Sequence, residues 1–448
     1  MRKTRLLAIG LAGVLVPLAL ATGGLTPLAE AAEPTPIASV SETPTPSASE
    51  TPTPTPSPVV PVEVVHAGSL ALSPVANASR GSITATFTGA AKVKYRPTYL
   101  YSASTADATT WTRISSKVKL SSSGVAVFKV TPVAGTFYKV VAPAYRYKVK
   151  KKYVTALEAD TAPRQLSDDW KTDFVDEFNE GALNPTYWKP TAQDENRAGG
   201  RECSVPKDAN ATVSGGQAWL KMSKADQATF DWVVAAAKAR QQAAKDAAIK
   251  AAVTSKQKKA AAAIKVTGCP NGVYTNARVS TENGRYQIKT GIVATEITFP
   301  IYQGGHGGVW LRTANNSAGK FDEIDIVEAF GWKKGIQAVL HLGTTTTYET
   351  PEKSKWVAKS AVGKTSWWGK PHIFSIEFTR SQVIYRLDGS VTRTEKRSLP
   401  DAEYSIVMSM LSSDWETPRL KKPSYGGKKG VKLPMSTTVN WIKTWVKA

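Results

Sequence analysis

Three acidic side chains close together on one stretch of chain, Glu323, Asp325 and Glu328, are the group in this sequence best suited to chemistry. The residues between them are the β-branched Ile324, Ile326 and Val327, a composition that favours a strand. Side chains alternate faces along a strand, so Glu323 and Asp325 share a face, whereas strict alternation would place Glu328 on the other. A β-bulge of one residue near Ile326-Val327 would return Glu328 to the acidic face.

When several carboxyl groups lie on one face, one can act as an acid and another as a nucleophile. Two carboxyls that flank a glycosidic bond, with a third between them to tune protonation, meet the requirements of retaining glycoside hydrolysis. Retention needs the two carboxyls about 5–5.5 Å apart, so the strand must be bulged and curved. The alternative is an edge strand with solvated acids. The apolar opposite face and the glycine-rich, Trp-bearing segment just upstream favour the chemical interpretation.

The N-terminal part of the chain predicts export. A basic start, an apolar run over residues 6–20 broken by Pro17, and small residues around Ala31 predict a secretory signal peptide over residues 1–31. Residues 32–61 are Thr/Pro/Ser repeats, typical of an extended linker. No later segment is long and apolar enough to cross a bilayer. We therefore expect a secreted, extracellular and soluble protein.

Two further regions are predicted before and within the acidic domain. Residues 62–157 contain short alternating runs separated by turn residues, which predicts a small β-sandwich similar to the immunoglobulin-like modules of secreted bacterial enzymes. Such a module would serve either in wall or sugar adhesion or as a spacer. Residues 224–265, rich in Ala, Lys and Gln, predict a helical, surface-lying insertion. Cys203 and Cys269 flank it, and in an exported protein we expect them to form one disulfide.

The chain of 448 residues carries a formal net charge of +22. Such a charge favours acidic partners such as an anionic polysaccharide, teichoic acid, a membrane surface or nucleic acid, or association with a negative cell wall. The lysines are scattered and no nucleic-acid module is recognisable, so nucleic acid is not expected as a partner.

The acidic stretch and its context resemble glycoside hydrolase family 16, in the bulged form of its laminarinase-like, agarase and carrageenase branches. The resemblance covers about residues 170–448, and we expect the catalytic domain to span residues 165–448. Weaker matches follow in the family's order, at residues 174–179, 291–300, 307–311, 373–388 and 441–446. It implies an all-β fold, a concave β-jelly-roll of two stacked antiparallel sheets, here preceded by the small immunoglobulin-like β-sandwich and interrupted by the helical insertion.

The resemblance also implies roles for individual residues. Glu323 would be the nucleophile, Glu328 the general acid/base and Asp325 the hydrogen-bonding carboxyl between them. The side chains expected at the substrate are Trp310, His341, Trp332, Trp415, Arg201 and Glu202. Each aromatic residue has a core position as its alternative, His341 a structural role, and Arg201 with Glu202 a surface ion pair.

The expected function is an endo-acting, retaining hydrolase of a β-linked polysaccharide, with a laminarin-like β-1,3-glucan as the leading substrate. The alternatives are a depolymerase of an anionic or galactose-based polysaccharide, a transglycosylase, a non-catalytic glucan-binding protein, or an adhesin in which the N-terminal module does the work. We expect a monomer and no cofactor. A structural calcium, which some family members carry on the convex face, stays open because Asn440 stands where many have Asp.

Overall fold

The computed structural model describes residues 66–77, 80–190, 201–283, 285–314, 321–331, 336–341, 355–357, 368–425, 427 and 430–448. The predicted signal peptide, the predicted linker and Trp332 lie outside these ranges. Within them, no helix has the length and apolar character needed to span a membrane.

The N-terminal β region comprises eleven strands in the described residues. They are β1 (Gly68–Asn77), β2 (Arg80–Phe87), β3 (Pro97–Ala103), β4 (Thr112–Arg113), β5 (Val118–Lys119), β6 (Val125–Phe128), β7 (Phe137–Ala142), β8 (Tyr145–Val149), β9 (Lys152–Ala156), β10 (Ala159–Asp160) and β11 (Arg164–Gln165). One sheet has the order β1-β2-β6, a second is built on β10-β7-β3-β4, and β8 with β9 form a separate hairpin. Ile83, Ala85 and Phe87 are buried on one face of β2, which is the period-two pattern of a half-buried strand.

The rest of the chain forms a large sheet, antiparallel except where β14 pairs with β17, and interrupted by helices. Its strands are β12 (Trp170–Asp176), β13 (Lys189–Pro190), β14 (Ser204–Pro206), β15 (Ala211–Val213), β16 (Ala218–Lys224), β17 (Tyr274–Ser280), β18 (Gly291–Thr298), β19 (His306–Thr313), β20 (Glu323–Phe330), β21 (Ile336–His341), β22 (Lys355–Val357), β23 (His372–Phe378), β24 (Gln382–Leu387), β25 (Ser390–Lys396), β26 (Tyr404–Leu411) and β27 (Met435–Lys447). The main order is β22-β21-β20-β19-β26-β17-β16-β27-β18-β23-β24-β25.

This sheet folds over on itself, and its two halves enclose what we call the inner core. The halves are joined where β16 meets β17 over two residue pairs, Ser223 with Thr275 and Lys224 with Tyr274. Apolar side chains of β19 and β20 lie in the same cluster as those of β18 and β23. The two predicted sheets are therefore one continuous, curled sheet, joined along a narrow seam.

The predicted helical insertion is confirmed. It consists of α1 (Gln227–Ala251) and α2 (Ser255–Ala262). Asp226 caps α1 by accepting a hydrogen bond from the Thr229 N–H at 2.8 Å. Val233 and Ala237, one helical turn apart, are fully buried against Cys203 and Cys269. The predicted disulfide joins those two cysteines, whose Cα atoms lie 5.4 Å apart.

A second cluster, the rear core, joins the N-terminal β region to the back of the large sheet. Ile292 and Ala294 of β18 and Trp445 of β27 pack with residues of β1, β2 and β7. Val293, between the first two, points into the inner core instead. β18 is thus buried on both faces. The domain limits at 62–157 and 165–448 stay predictions, but the two regions share apolar packing rather than a linker alone.

Candidate active site

The register of β20 places the three acidic residues on one face. On β19, Glu323 lies opposite Arg312, Asp325 opposite Trp310 and Glu328 opposite Gly308. Arg312, Trp310 and Gly308 follow one another at intervals of two residues along β19, so all three positions lie on one face of the sheet. The three acids opposite them therefore lie on that same face.

The bulge that allows this register lies where it was predicted. Val327 lies opposite Val309, and Ile326 has no partner on β19. On the other side, Asp325 lies opposite Val339 and Glu328 opposite Gln337, so two residues of β20 again face one of β21. Ile326 and Val327 are both buried in the inner core. The extra residue therefore turns Glu328 away from the core.

Asp325 is the most buried of the three carboxyl groups, with 2% of the residue exposed. Burial raises its pKa well above the usual range, and the neighbouring charge of Glu328 raises it further, while a side-chain hydrogen bond with Glu323 acts in the opposite direction. Asp325 therefore favours the protonated state and links the two carboxyls on either side of it.

Glu328 contacts a histidine that the sequence analysis did not select. Nε2 of His306 lies 3.1 Å from Oε1 of Glu328, and both side chains are largely buried. The imidazole stacks on Phe330 with ring centroids 4.1 Å apart. A signal existed, because His306 is the single non-glycine residue in the stretch Gly304-Gly305-His306-Gly307-Gly308. This pair fixes the position of the Glu328 carboxyl.

His341, which was expected at the substrate, lies on the strand next to β20. It pairs with Glu323 in the ladder between β20 and β21, whereas Gln337 occupies the position opposite Glu328. Its side chain is outside the described part of the chain, as is Trp332. The role of His341 at the substrate stays a prediction.

Positive charge surrounds Glu323. Arg278 of β17 interacts electrostatically with Glu323 and lies 3.2 Å from the carboxylate of Glu282. Arg312, opposite Glu323 in the ladder, lies 3.5 Å from that same carboxylate. Burial acts to raise the pKa of Glu282, but Arg278, Ser280 and Arg312 bring it below the usual range. An arginine inside the fully buried strand β17 was the available signal for this cluster.

A second fully buried carboxyl, Glu416, lies next to the Glu328–His306 pair. Its Oε1 accepts a hydrogen bond at 3.1 Å from the N–H of Gly331, the residue that follows β20. Burial raises the pKa of Glu416, whereas His306, Ser413 and Arg201 favour its charged form. A side chain on Gly331 would meet the backbone of Gly304 and Gly305 at about 2.4 Å, so only glycine allows this approach.

Of the expected aromatic residues, Trp310 lies on the acidic face, and Trp415 lies in the loop next to Glu416. Trp310, opposite Asp325, is half-buried and donates from Nε1 to Oγ of Ser409 at 3.2 Å. Arg278 lies 5.1 Å from the centre of its ring. Trp415 is 44% exposed in the loop after β26, with the Arg201 guanidinium 5.8 Å from its ring. Both rings keep surface that a sugar could contact, and their binding roles stay predictions.

Arg201 and Glu202 have different partners. Nε of Arg201 donates to Oγ of Ser413 at 3.2 Å, beside Trp415. Glu202 accepts a hydrogen bond from Gln241 of α1 at 3.2 Å, and its backbone N–H donates to Asp414 at 2.9 Å. The disulfide at Cys203 follows directly. These contacts connect the helical insertion to the loop that carries Trp415.

The described residues contain no group of three or more His, Cys, Asp or Glu arranged to hold a metal ion. Asn440, the residue that left a structural calcium site open, accepts a hydrogen bond from Gln217 at 2.8 Å and donates one to Glu296 at 2.6 Å. Both atoms of its amide are thus used in hydrogen bonds within the protein.

Comparison with known proteins gives similarities over different parts of the chain. A curated relative, β-porphyranase B of Zobellia galactanivorans, is 26% identical over 139 residues, which is 28% of this chain and 45% of that protein. The match thus spans less than half the relative's length. Among solved structures, the laminarinase catalytic domain of Thermotoga petrophila RKU-1 is 18% identical with a TM-score of 0.43, covering 62% of this chain and 99% of that one. The laminarinase of Flavobacterium sp. UMI-01 is 16% identical with a TM-score of 0.42, covering 62% and 100%.

The family assignment rests on a longer match. The model described as glycosyl hydrolases family 16 matches residues 226–443, a stretch that contains β17 to β26, most of β27 and all three acidic residues of β20. The bulged arrangement of those acids is the pattern from which the resemblance was first drawn. Residues 226–443 of the chain therefore belong to glycoside hydrolase family 16.

Proposed function

We propose that the protein is a retaining endo-glycoside hydrolase in which Glu323 is the nucleophile and Glu328 the general acid/base. The observation that carries the proposal is the bulged register of β20, in which both carboxyls share a face with Asp325 between them. Arg278 beside Glu323 favours a negative carboxylate there. His306 holds Glu328 where a leaving-group oxygen could receive its proton.

The reaction would proceed through two displacements. Glu323 attacks the anomeric carbon and Glu328 gives its proton to the departing glycosidic oxygen, so one C–O bond forms as the other breaks. The product is a glycosyl ester on Glu323. Glu328 then takes a proton from water, whose oxygen displaces Glu323 and restores the original configuration. The hydrogen bond between Asp325 and Glu323 would weaken as negative charge leaves Glu323 and strengthen again as the charge returns.

The leading substrate is a β-1,3-glucan, by analogy with the branch that most often carries the bulged motif. Reducing-end release from laminarin, curdlan, mixed-linkage glucan, agarose, carrageenan and hyaluronan tests both substrate and roles. Wild type would be compared with Glu323→Gln, Glu328→Gln and the exposed control Glu403→Gln. We expect Glu323→Gln and Glu328→Gln to lose ~10³-fold or more of the activity and Glu403→Gln to keep it. Full activity in Glu323→Gln would refute the nucleophile assignment.

A second candidate substrate is an anionic or galactose-based polysaccharide. The net charge of +22 favours it, because a positive field attracts polyanions. The relative named a β-porphyranase points in the same direction. Activity on agarose, carrageenan or hyaluronan, without activity on any glucan, would select this candidate and leave the catalytic roles unchanged. A transglycosylase would instead produce longer chains, which product sizing detects.

We further propose that the protein is secreted, on the basis of the signal-like residues 1–31 and the disulfide between Cys203 and Cys269. Mass spectrometry of the protein recovered from culture medium tests this. A mature chain that begins just after Ala31 is expected; a protein retained in cells with its N-terminus intact would contradict it.

A further inference from the structure

The positive charge of the chain is concentrated in the N-terminal β region. Residues 66–157 contain 14 Lys and Arg against one acidic residue, Asp107, a formal charge of +13 out of +22 for the whole chain. About a fifth of the sequence thus carries more than half of the net charge. Such a field attracts polyanions and raises their local concentration.

The hairpin formed by β8 and β9, which we call the basic hairpin, is the most charged part of this region. It carries Arg146, Lys148, Lys150, Lys151 and Lys152, and no acidic residue. In the described part of the chain, β8 and β9 pair only with each other. The basic residues are exposed. Their charges are therefore available to a partner.

The turn of the basic hairpin is built from residues that rarely occupy such positions. Lys150 and Lys151 have φ values of 44° and 70°. Two-residue hairpin turns with positive φ are usually made by Asn and Gly, which adopt this conformation at low cost. Neither lysine is buried, so packing does not account for them. They place two positive charges at the tip of the hairpin.

Aromatic rings lie among the cations on both faces of the basic hairpin. Arg146 and Lys148 lie 4.3 Å and 5.1 Å from the ring centre of Tyr153, which is 58% exposed. On the other face, the rings of Tyr145 and Tyr147 are nearly parallel, at 5° and 6.4 Å between centroids. Flat aromatic surfaces suit the apolar faces of pyranose rings, and the adjacent cations suit charged substituents.

A buried arginine fixes the base of the basic hairpin. Arg96 has no exposed surface, and its guanidinium donates to the carbonyls of Ala142 and Pro143 before β8 and of Leu157 after β9. Because one side chain binds both ends, it holds the base of the hairpin to the rest of the N-terminal β region. An element held at its base loses less conformational entropy when it binds a polymer.

We propose that the basic hairpin is a binding site for an anionic polysaccharide that carries sulfate or carboxylate groups. The combination of cations with tyrosine faces favours a charged glycan over a purely inorganic polyanion. Membership of a glycoside hydrolase family favours a glycan over nucleic acid, which also stacks on aromatic rings. Binding there would hold the enzyme on a polyanionic matrix, whichever polysaccharide the active site cleaves.

The test measures dissociation constants of the full chain for dextran sulfate and polygalacturonate, with neutral dextran and single-stranded DNA beside them. The variant Lys150→Gln/Lys151→Gln/Lys152→Gln would be compared with Lys256→Gln/Lys258→Gln/Lys259→Gln, an equal loss of charge on the exposed helix α2. Equal thermal midpoints would show that both variants are folded. We expect the hairpin variant to bind one or both anionic glycans ~10-fold more weakly, with a shallower salt dependence, and the α2 variant to bind as wild type.

Each other result overturns the proposal. Equal weakening by both triple variants would mean that only net charge matters. Binding to neutral dextran as strong as to the anionic glycans would exclude charge recognition. Binding to DNA tighter than to either glycan, and lost in the hairpin variant, would assign the hairpin to nucleic acid instead. Comparison of dextran sulfate with polygalacturonate shows whether the site binds sulfate groups, carboxylate groups or both.

Discussion

At the scale of single residues, the contact between His306 and Glu328 decides how well the proposed acid is positioned. The imidazole is held by stacking on Phe330 and lies 3.1 Å from the carboxyl. A general acid misplaced by about 1 Å can lose on the order of 100-fold in rate.

We expect His306→Ala to lower kcat by ~10- to 100-fold and to change KM little, because the contact acts on the acid rather than on substrate binding. The control is His372→Ala, which removes another buried histidine–carboxylate pair, with Asp388 at 2.8 Å, outside the site. Initial-rate kinetics on the best substrate measure both. Unchanged kcat in His306→Ala would show that Glu328 is positioned by other groups.

Glu416 makes stability depend on pH. Burial raises its pKa, so the folded protein keeps a proton that the unfolded chain releases above about pH 4.3. The folded state then binds more protons than the unfolded state, and the free energy of unfolding falls as pH rises through that window. The substitution Glu416→Gln removes the group that titrates, so the free energy of unfolding should no longer fall for this reason as pH rises. The amide still offers an oxygen to the Gly331 N–H.

The thermal midpoint of Glu416→Gln relative to wild type should therefore increase as pH rises from about 4 to 7. Differential scanning calorimetry across that range measures it, with the exposed Glu403→Gln as the control that should show a flat difference. A midpoint difference for Glu416→Gln that stays constant with pH would contradict the proposed protonation.

Residue types predicted part of this site. Alternation along β20 was sufficient to recognise that Glu328 needed a bulge to join Glu323 and Asp325. It could not show His306 or Glu416, because they reach the site from β19 and from the loop after β26, and only tertiary packing brings these segments to the end of β20.

At the scale of the element, the bulge in β20 determines which face each acid occupies. Ile326 is the residue without a partner on β19. Its deletion would leave the pairs Asp325–Trp310, Val327–Val309 and Glu328–Gly308 intact and restore strict alternation. Insertion of one valine after Val327 would add a residue and turn Glu328 towards the inner core.

We expect the deletion of Ile326 to keep measurable hydrolysis and the insertion to lose ~10³-fold or more, as Glu328→Gln should. The two variants are matched, since each changes β20 by one residue; circular dichroism would confirm that both fold. Equal loss in both variants would mean that strand length, rather than the face of Glu328, controls activity.

At the scale of the whole molecule, the rear core makes the N-terminal β region part of the enzyme's packing. Ile292, Ala294, Ile373 and Trp445 of the large sheet are buried against it. From the sequence alone, this region is expected to serve in adhesion or as a spacer. A signal against that view lies in β18, where Ile292, Val293 and Ala294 are consecutive apolar residues, typical of a strand covered on both faces.

A chain that starts at Asp169 should therefore unfold at a temperature lower by roughly 10 °C or aggregate, since each large apolar side chain uncovered costs ~1.5–3 kcal/mol. A chain that starts at His66 is the control and should match the full chain, because it keeps the rear core. Thermal unfolding followed by fluorescence measures both. An unchanged midpoint for the shorter chain would show that the shared packing contributes little.

The anomeric configuration of the first product is the measurement that tests the central claim most directly. On whichever polysaccharide is cleaved, proton NMR during the first minutes should detect the β-anomer at the new reducing end before mutarotation, because two displacements through Glu323 retain configuration. Initial release of the α-anomer would mean a single displacement by water, and Glu323 could then not be the nucleophile.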